Sequence, residues 1–192
     1  MNASLVATFL AVSFFARGER INHAGRILGN LPAVTNSLLF NTNLADAVVS
    51  AMQILPRDNP WNEDVSRRPL LTNSDVMISQ ISSELLPSRQ SLRAFYEMNF
   101  VLVPDTQPLV PITFIDYANE SDPSPYPTPW NLPIESWPAG TPTGLTLNQW
   151  QEDTNNVGGD RHSIIVQPGS GFFWETWQTK RIGTNWEASN GA

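Results

Sequence analysis

The stretch Asp160-Arg-His-Ser-Ile-Ile-Val-Gln-Pro-Gly-Ser-Gly-Phe-Phe-Trp-Glu-Thr-Trp177 decides the fold. An apolar run, Ile164-Ile165-Val166, meets Gln167-Pro168-Gly169-Ser170-Gly171, and an aromatic run follows. β-Branched and aromatic residues on either side of turn formers predict a β-hairpin. Pro168-Gly169 suits the two central positions of a type II turn, because proline presets φ and glycine accepts a positive φ. Side chains alternate along a strand. Phe172, Trp174 and Thr176 are therefore expected on one face, with Phe173, Glu175 and Trp177 on the other. Asp160, Arg161 and His162 stand at the mouth of the first strand. Ionisable and aromatic side chains are densest here.

Working outward towards the N-terminus, Asn99–Val103 and Leu109–Ile115 read as two more strands, split by Pro104-Asp-Thr-Gln-Pro108. Pro111 places the second at an edge or a bulge. Asp116–Asp122 is an acidic turn holding Asp116, Glu120 and Asp122. It is read as a solvated loop in preference to a calcium or sugar-hydroxyl site. From Pro123 to Pro142 seven prolines alternate with Tyr126, Trp130 and Trp137, which rules out a regular helix or a central strand. Two tryptophans argue for an ordered wrap in place of a flexible linker. Residues 140–159 read as a polar loop carrying Trp150. After the hairpin, Asn185-Trp-Glu-Ala188 predicts a third strand. No further strand follows to cover its edge, so the sequence reads as cut short at its C-terminus.

The first half looks different. Leu5–Phe15 is apolar and is followed by Ala16-Arg17-Gly18. It is too short for a bilayer, which needs about 20 apolar residues, and reads as the core of a signal peptide over 1–18. Thr42 or Asn43 caps a predicted helix with Leu44, Val48, Ala51, Met52 and Leu55 on one face, closed by Pro56. A second helix from Asn73 sets Val76, Met77, Ile81 and Leu85 towards the core. Between them, a polar loop is expected to be pinned by a buried Trp61. The resulting expectation is a mainly β protein with two short N-terminal helices. Its fold class is a β-sandwich or jelly-roll-like domain with long proline-rich loops: a leader over 1–18, a helical and irregular region over 19–97, and a β-rich domain over 98–192.

Composition narrows the function. The chain has 192 residues, 7 tryptophans, no cysteine and 2 histidines, with a net charge of −7. An acidic chain without a basic stripe cannot neutralise phosphates, which argues against nucleic acid as a partner. The absence of cysteine excludes disulfides and thiolate chemistry, and two histidines exclude a multi-histidine metal site within one chain. No metal site and no cofactor are expected, nor any membrane span once the leader is removed.

Asn59-Pro-Trp-Asn62, Asp105-Thr-Gln-Pro-Leu-Val-Pro111, Tyr117-Ala-Asn-Glu-Ser-Asp-Pro-Ser-Pro-Tyr-Pro127 and Gly159-Asp-Arg-His162, with Trp174-Glu175 downstream, form a set of motifs. In them the chain resembles a family of uncharacterised exported, mostly bacterial proteins over roughly residues 55–192. The resemblance implies a secreted β-rich domain whose relatives run on past residue 192. It brings no catalytic assignment.

Three readings of function remain open. An aromatic sheet face carrying Trp174, Trp177 and Trp130, with Arg161 nearby, would bind polysaccharide or another glycan by stacking and hydrogen bonding. Alternatively, Glu175 and Asp160 would serve as the paired carboxylates of a glycoside hydrolase or lyase, with His162 as proton shuttle. In the third, the aromatics simply fill the interior of a secreted structural protein. No Gly-x-Ser-x-Gly elbow or phosphate-binding glycine loop is present.

Overall fold

The computed structural model describes residues 20–21, 27–56, 58–87, 90, 99–138, 141–156 and 158–192. The expected leader and His23 lie outside them. The described residues fall into two compact units, one within Met1–Gly29 and Gln53–Glu63, the other within Asn30–Met52 and Asp64–Ala192. In the first, Ile21 and Ile27 form an antiparallel bridge, and the Ile21 N–H donates to Gln53 Oε1 at 3.2 Å. Trp61, expected to be buried, is 88 % exposed on a short 3-10 turn that Asn59 caps.

The second unit holds the fold. Its larger sheet has five strands in the order β1-β2-β4-β5-β8. They are β1 (Leu38–Leu39), β2 (Phe100–Leu102), β4 (Ser163–Gln167), β5 (Phe172–Trp177) and β8 (Asn190–Gly191). A smaller sheet orders β3 (Ile112–Phe114), β7 (Asn185–Ala188) and β6 (Lys180–Ile182) as β3-β7-β6. The predicted hairpin is β4–β5, with Ile165 opposite Trp174 and Ile164 opposite Glu175. Its turn differs from the expected one. The positive φ falls on Gly171 (77°) and not on Gly169. Gly169 serves another purpose: a Cβ there would displace the Asp105 carboxylate, which accepts the Ser170 N–H at 3.0 Å.

β2 runs parallel to β4, pairing Val101 with Ile165 and Leu102 with Val166. Alternation then splits these strands between two cores. Val101, Val103 and Ile165 face one that holds Ile112, Tyr126, Leu132, Ile134, Trp150, Trp186 and Ala188. Leu102, with Phe100 and Val166, faces the other, under Ala45 and Val48 of helix α1 (Asn43–Ser50). Thr42 caps α1 by accepting the Ala45 N–H at 3.2 Å. Burying sheet residues on both faces removes several side chains from water, at roughly 1.5–3 kcal/mol for each large aliphatic group.

The sandwich or jelly-roll expectation is overturned. The domain is mixed α/β, with three α-helices among the described residues and two open sheets. Its strands are only two to six residues long, too short to close two full layers. Helices occupy surfaces that a second sheet would need. α3 (Leu147–Glu152), in the stretch read as a polar loop, carries a capping box between Thr146 and Gln149 and buries Trp150 and Gln151. α2 (Ser74–Glu84) exists as expected but buries no residue. Val76 is 71 % and Ile81 53 % exposed, so its apolar face does not enter the core. The Asn185–Ala188 strand joins the smaller sheet, parallel to β3, and not the hairpin.

The composition-based picture of proline-rich loops and a tryptophan-rich face also needs correction. Within Pro123–Pro142, Pro127, Pro129 and Pro133 are buried, and Tyr126 bridges to Val110. The tryptophans are dispersed: Trp150 and Trp186 are core, while Trp61 and Trp130 are exposed.

Candidate functional site

The face of the large sheet turned away from the main core is covered by α1 at the β1–β2 side. On β5 it carries Phe173, Glu175 and Trp177. His162 stands one residue before β4, in register to join Glu175 and Trp177 there. Opposite comes Glu135, from the segment between Leu132 and Trp137. That segment is held closely. The Glu135 N–H donates to the His162 carbonyl at 2.8 Å. Trp150 Nε1 donates to the Glu135 carbonyl at 3.1 Å. Buried Asn99 donates to the carbonyls of Ile134 and Trp137 at 3.1 and 2.5 Å. The Glu135 backbone is therefore bonded directly to His162, and Asn99 and Trp150 hold the carbonyls of Ile134, Glu135 and Trp137.

The side chains continue this arrangement. Glu135 Oε2 accepts from the His162 backbone N–H and from its ring Nδ1, both at 3.1 Å. A carboxylate can only accept, so Nδ1 carries the hydrogen and Nε2 is turned outward. Nε2 lies 3.9 Å from Glu175 Oε1. The imidazole thus stands between two carboxylates, a mostly buried one behind and a half-exposed one in front. Protonation of the ring turns both contacts into ion pairs.

A cleft of about 420 Å³ opens in front of this group, lined by Glu120, His162, Glu175, Thr176, Trp177 and Asn190–Ala192. Glu120 ends a 3-10 turn, Ala118–Glu120, which is tied to β8. Tyr117 N–H donates to Ser189 O at 2.9 Å, and Asp122 N–H to Gly191 O at 2.9 Å. Trp177 stacks on the exposed Tyr117 ring, with centroids 6.2 Å apart at 28°. Thr176 lines the cleft, but its hydroxyl is engaged in a buried chain with Ser163 and Thr179, at 2.6 Å each.

The other sequence candidates lie elsewhere. Asp160 is exposed and outside the cleft lining; its carbonyl accepts the Gln178 N–H at 2.8 Å. Arg161 is 5 % exposed. It donates to Thr179 O, Trp150 O and Gln151 O, at 3.1, 2.7 and 3.2 Å, and so secures the C-terminal end of α3. Burial pushes its guanidinium below its usual range, while nearby Asp153 acts in the opposite direction. Trp174 packs against Tyr126 on the core side. Trp130 lies under the Arg181 guanidinium, 4.3 Å from its ring centroid. Only His162, Glu175 and Trp177 of the predicted set meet. Among the described residues, no group of three or more His, Asp or Glu side chains is arranged to hold a metal ion.

Glu135 and Glu120 were not singled out from sequence as members of one site with His162. A signal for Glu135 existed: a lone carboxylate in Leu132-Pro-Ile-Glu-Ser-Trp137, a run otherwise suited to burial. A charge in such a run requires a partner.

No family model matches the chain, and neither does any curated protein or solved structure.

Proposed function

We propose that this is an exported glycan-binding protein and that the cleft beside Trp177 is where the glycan sits. The observation that carries the reading is the joint lining of one open cleft by the Trp177 indole and the acceptors Glu120 and Glu175. An indole offers a face for the C–H side of a pyranose, and carboxylates accept from its hydroxyls. Export rests on the apolar stretch Leu5–Phe15 and on the motif resemblance. No helix among the described residues is long and apolar enough to cross a membrane.

A second reading is favoured by the Glu135–His162 pair. An imidazole oriented by a carboxylate, with its other nitrogen facing a cleft, is suited to proton transfer. In a hydrolase, His162 would then take the acid or base role that Asp160 was expected to share with Glu175, and Glu135 would orient its ring. One experiment separates the two. The protein is incubated with soluble and insoluble polysaccharides, and depletion from solution is recorded together with release of new reducing ends. Binding that weakens at least about tenfold in Trp177→Ala, without release, supports the binding reading. Release that vanishes in Glu175→Gln would replace it with the hydrolase. Neither signal would refute both.

A further inference from the structure

The charges of the cleft go further than its shape. Its lining holds the Glu120 and Glu175 carboxylates and the His162 imidazole, but no lysine or arginine. Among the described residues, the one ion-pair contact of Glu175 within 4.0 Å is the His162 Nε2, at 3.9 Å. The Glu120 carboxylate has no partner among the described residues. Behind His162 lies the third carboxylate, Glu135. With the ring neutral or protonated, carboxylates outnumber cations at this position. Trp177, stacked on Tyr117, adds an indole to the lining, and an indole ring attracts cations within about 6 Å of its centroid. The two guanidiniums that are stacked on tryptophans, Arg161 and Arg181, are committed to α3 and its surroundings.

A ligand that enters this cleft must therefore tolerate or exploit negative potential. Uronate and sulfated glycans would bring like charge to Glu120 and Glu175. Neutral glycans would satisfy the acceptors through hydroxyls alone. A sugar with a free amine supplies both a ring face for Trp177 and an ammonium for the carboxylates. We infer that the cleft prefers a cationic amino-sugar glycan, one whose amines are not acetylated, to neutral or acidic glycans. The inference rests on the glycan-binding reading and adds the chemical class of the ligand.

Isothermal titration with hexasaccharides of matched length tests it. The probes are glucosamine, N-acetylglucosamine, glucose and galacturonate oligomers, at about pH 6 and low salt, where a glucosamine amine is largely protonated. The glucosamine oligomer is expected to bind at least about tenfold more tightly than its acetylated counterpart. The preference should shrink as salt screens the charges. Glu120→Gln and Glu175→Gln each replace an exposed carboxylate without changing its size, so folding should survive; circular dichroism checks this. Each should remove most of the preference, the glucosamine oligomer losing several-fold more affinity than the neutral oligomers. Equal affinity for charged and neutral oligomers would overturn the inference and leave the glycan cleft standing. Tight amine binding unchanged in both variants would also overturn it, since general attraction to a chain of net charge −7 would then explain the result. If no hexasaccharide binds, the inference and the glycan reading fall together.

Discussion

Replacing Glu135 should separate the two carboxylates that flank His162. One oxygen of Glu135 accepts two hydrogen bonds, from the backbone and ring of the same residue, at 3.1 Å each. Its side chain is 13 % exposed, so solvent replaces it poorly. A hydrogen bond to an ionised group contributes roughly 1.5–3 kcal/mol. The two bonds share one atom and are not independent, so Glu135→Ala should cost about 2–3 kcal/mol, the cost of the unpartnered His162 groups included. Glu135→Gln retains an acceptor but loses the charge. Charge-assisted bonds are about twice as strong as neutral ones, so a cost of ~1 kcal/mol follows. Glu175 differs: it is 3.9 Å from the ring and 43 % exposed. Glu175→Gln should cost at most about 0.5 kcal/mol, as for exposed pairs. Urea unfolding followed by tryptophan fluorescence gives the energies, and ¹H–¹⁵N spectra of the imidazole report whether Nδ1 still carries the hydrogen. Equal costs at Glu135 and Glu175, or an unchanged Nδ1 signal in Glu135→Ala, would refute this account of the histidine.

Three more outcomes follow from the packing. Burial, assisted by Asp122, raises the Tyr126 phenol from the usual 10.0 to about 12; the neutral form is thus favoured in the folded state. Its contribution is complete below pH 10 and is lost as pH rises towards 12, at up to about 1.4 kcal/mol per pH unit; the fall in urea midpoint should flatten in Tyr126→Phe. Gly169→Ala should displace the Asp105 carboxylate and cost about 1 kcal/mol, the net worth of the lost Ser170 bond. In an Asp105→Ala background that cost should disappear, and an additive double mutant would show the contact to be unimportant. Arg161→Met leaves three carbonyls without their donor and Asp153 without its nearby charge. It should lower stability by about 3 kcal/mol while glycan binding by the folded fraction stays unchanged; loss of binding at equal stability would place Arg161 in the site after all.

The parts that were legible in the sequence are those set by neighbours along the chain. Alternation in β5 placed Glu175 and Trp177 together and Trp174 opposite, and the Thr42 cap and the β4–β5 hairpin follow local rules. What was not legible depended on partners distant in sequence. The expected turn assigned Gly169 to a backbone requirement, whereas Asp105, 64 residues earlier, gives the reason for glycine there. α3 was hidden because six residues between turn formers carry little apolar periodicity; its capping box was the usable signal. The sandwich was inferred from strand-like runs and a high proline count. Runs of this kind do not say whether their second face meets a helix or another sheet.

The same distinction explains the site. The pairing of Asp160 with Glu175 sets a residue at the mouth of the first strand against one on the second, yet a position at a strand mouth does not fix which way a side chain points. Gln178 N–H is bonded to the Asp160 backbone, Arg161 takes a left-handed φ of 50° and turns inward, and His162 emerges on the outer face. One residue of backbone twist therefore separates the structural arginine from the cleft histidine. Glu135 is held beside that histidine by its own N–H on the His162 carbonyl, by Trp150 on its carbonyl, and by Asn99 on the carbonyls of Ile134 and Trp137. The site thus depends on the fold's long-range hydrogen bonds more than on its motifs. For that reason, Asn99→Ala should shift the His162 imidazole signals in ¹H–¹⁵N spectra although Asn99 lies outside the cleft lining, and unchanged signals would show that His162 does not depend on it.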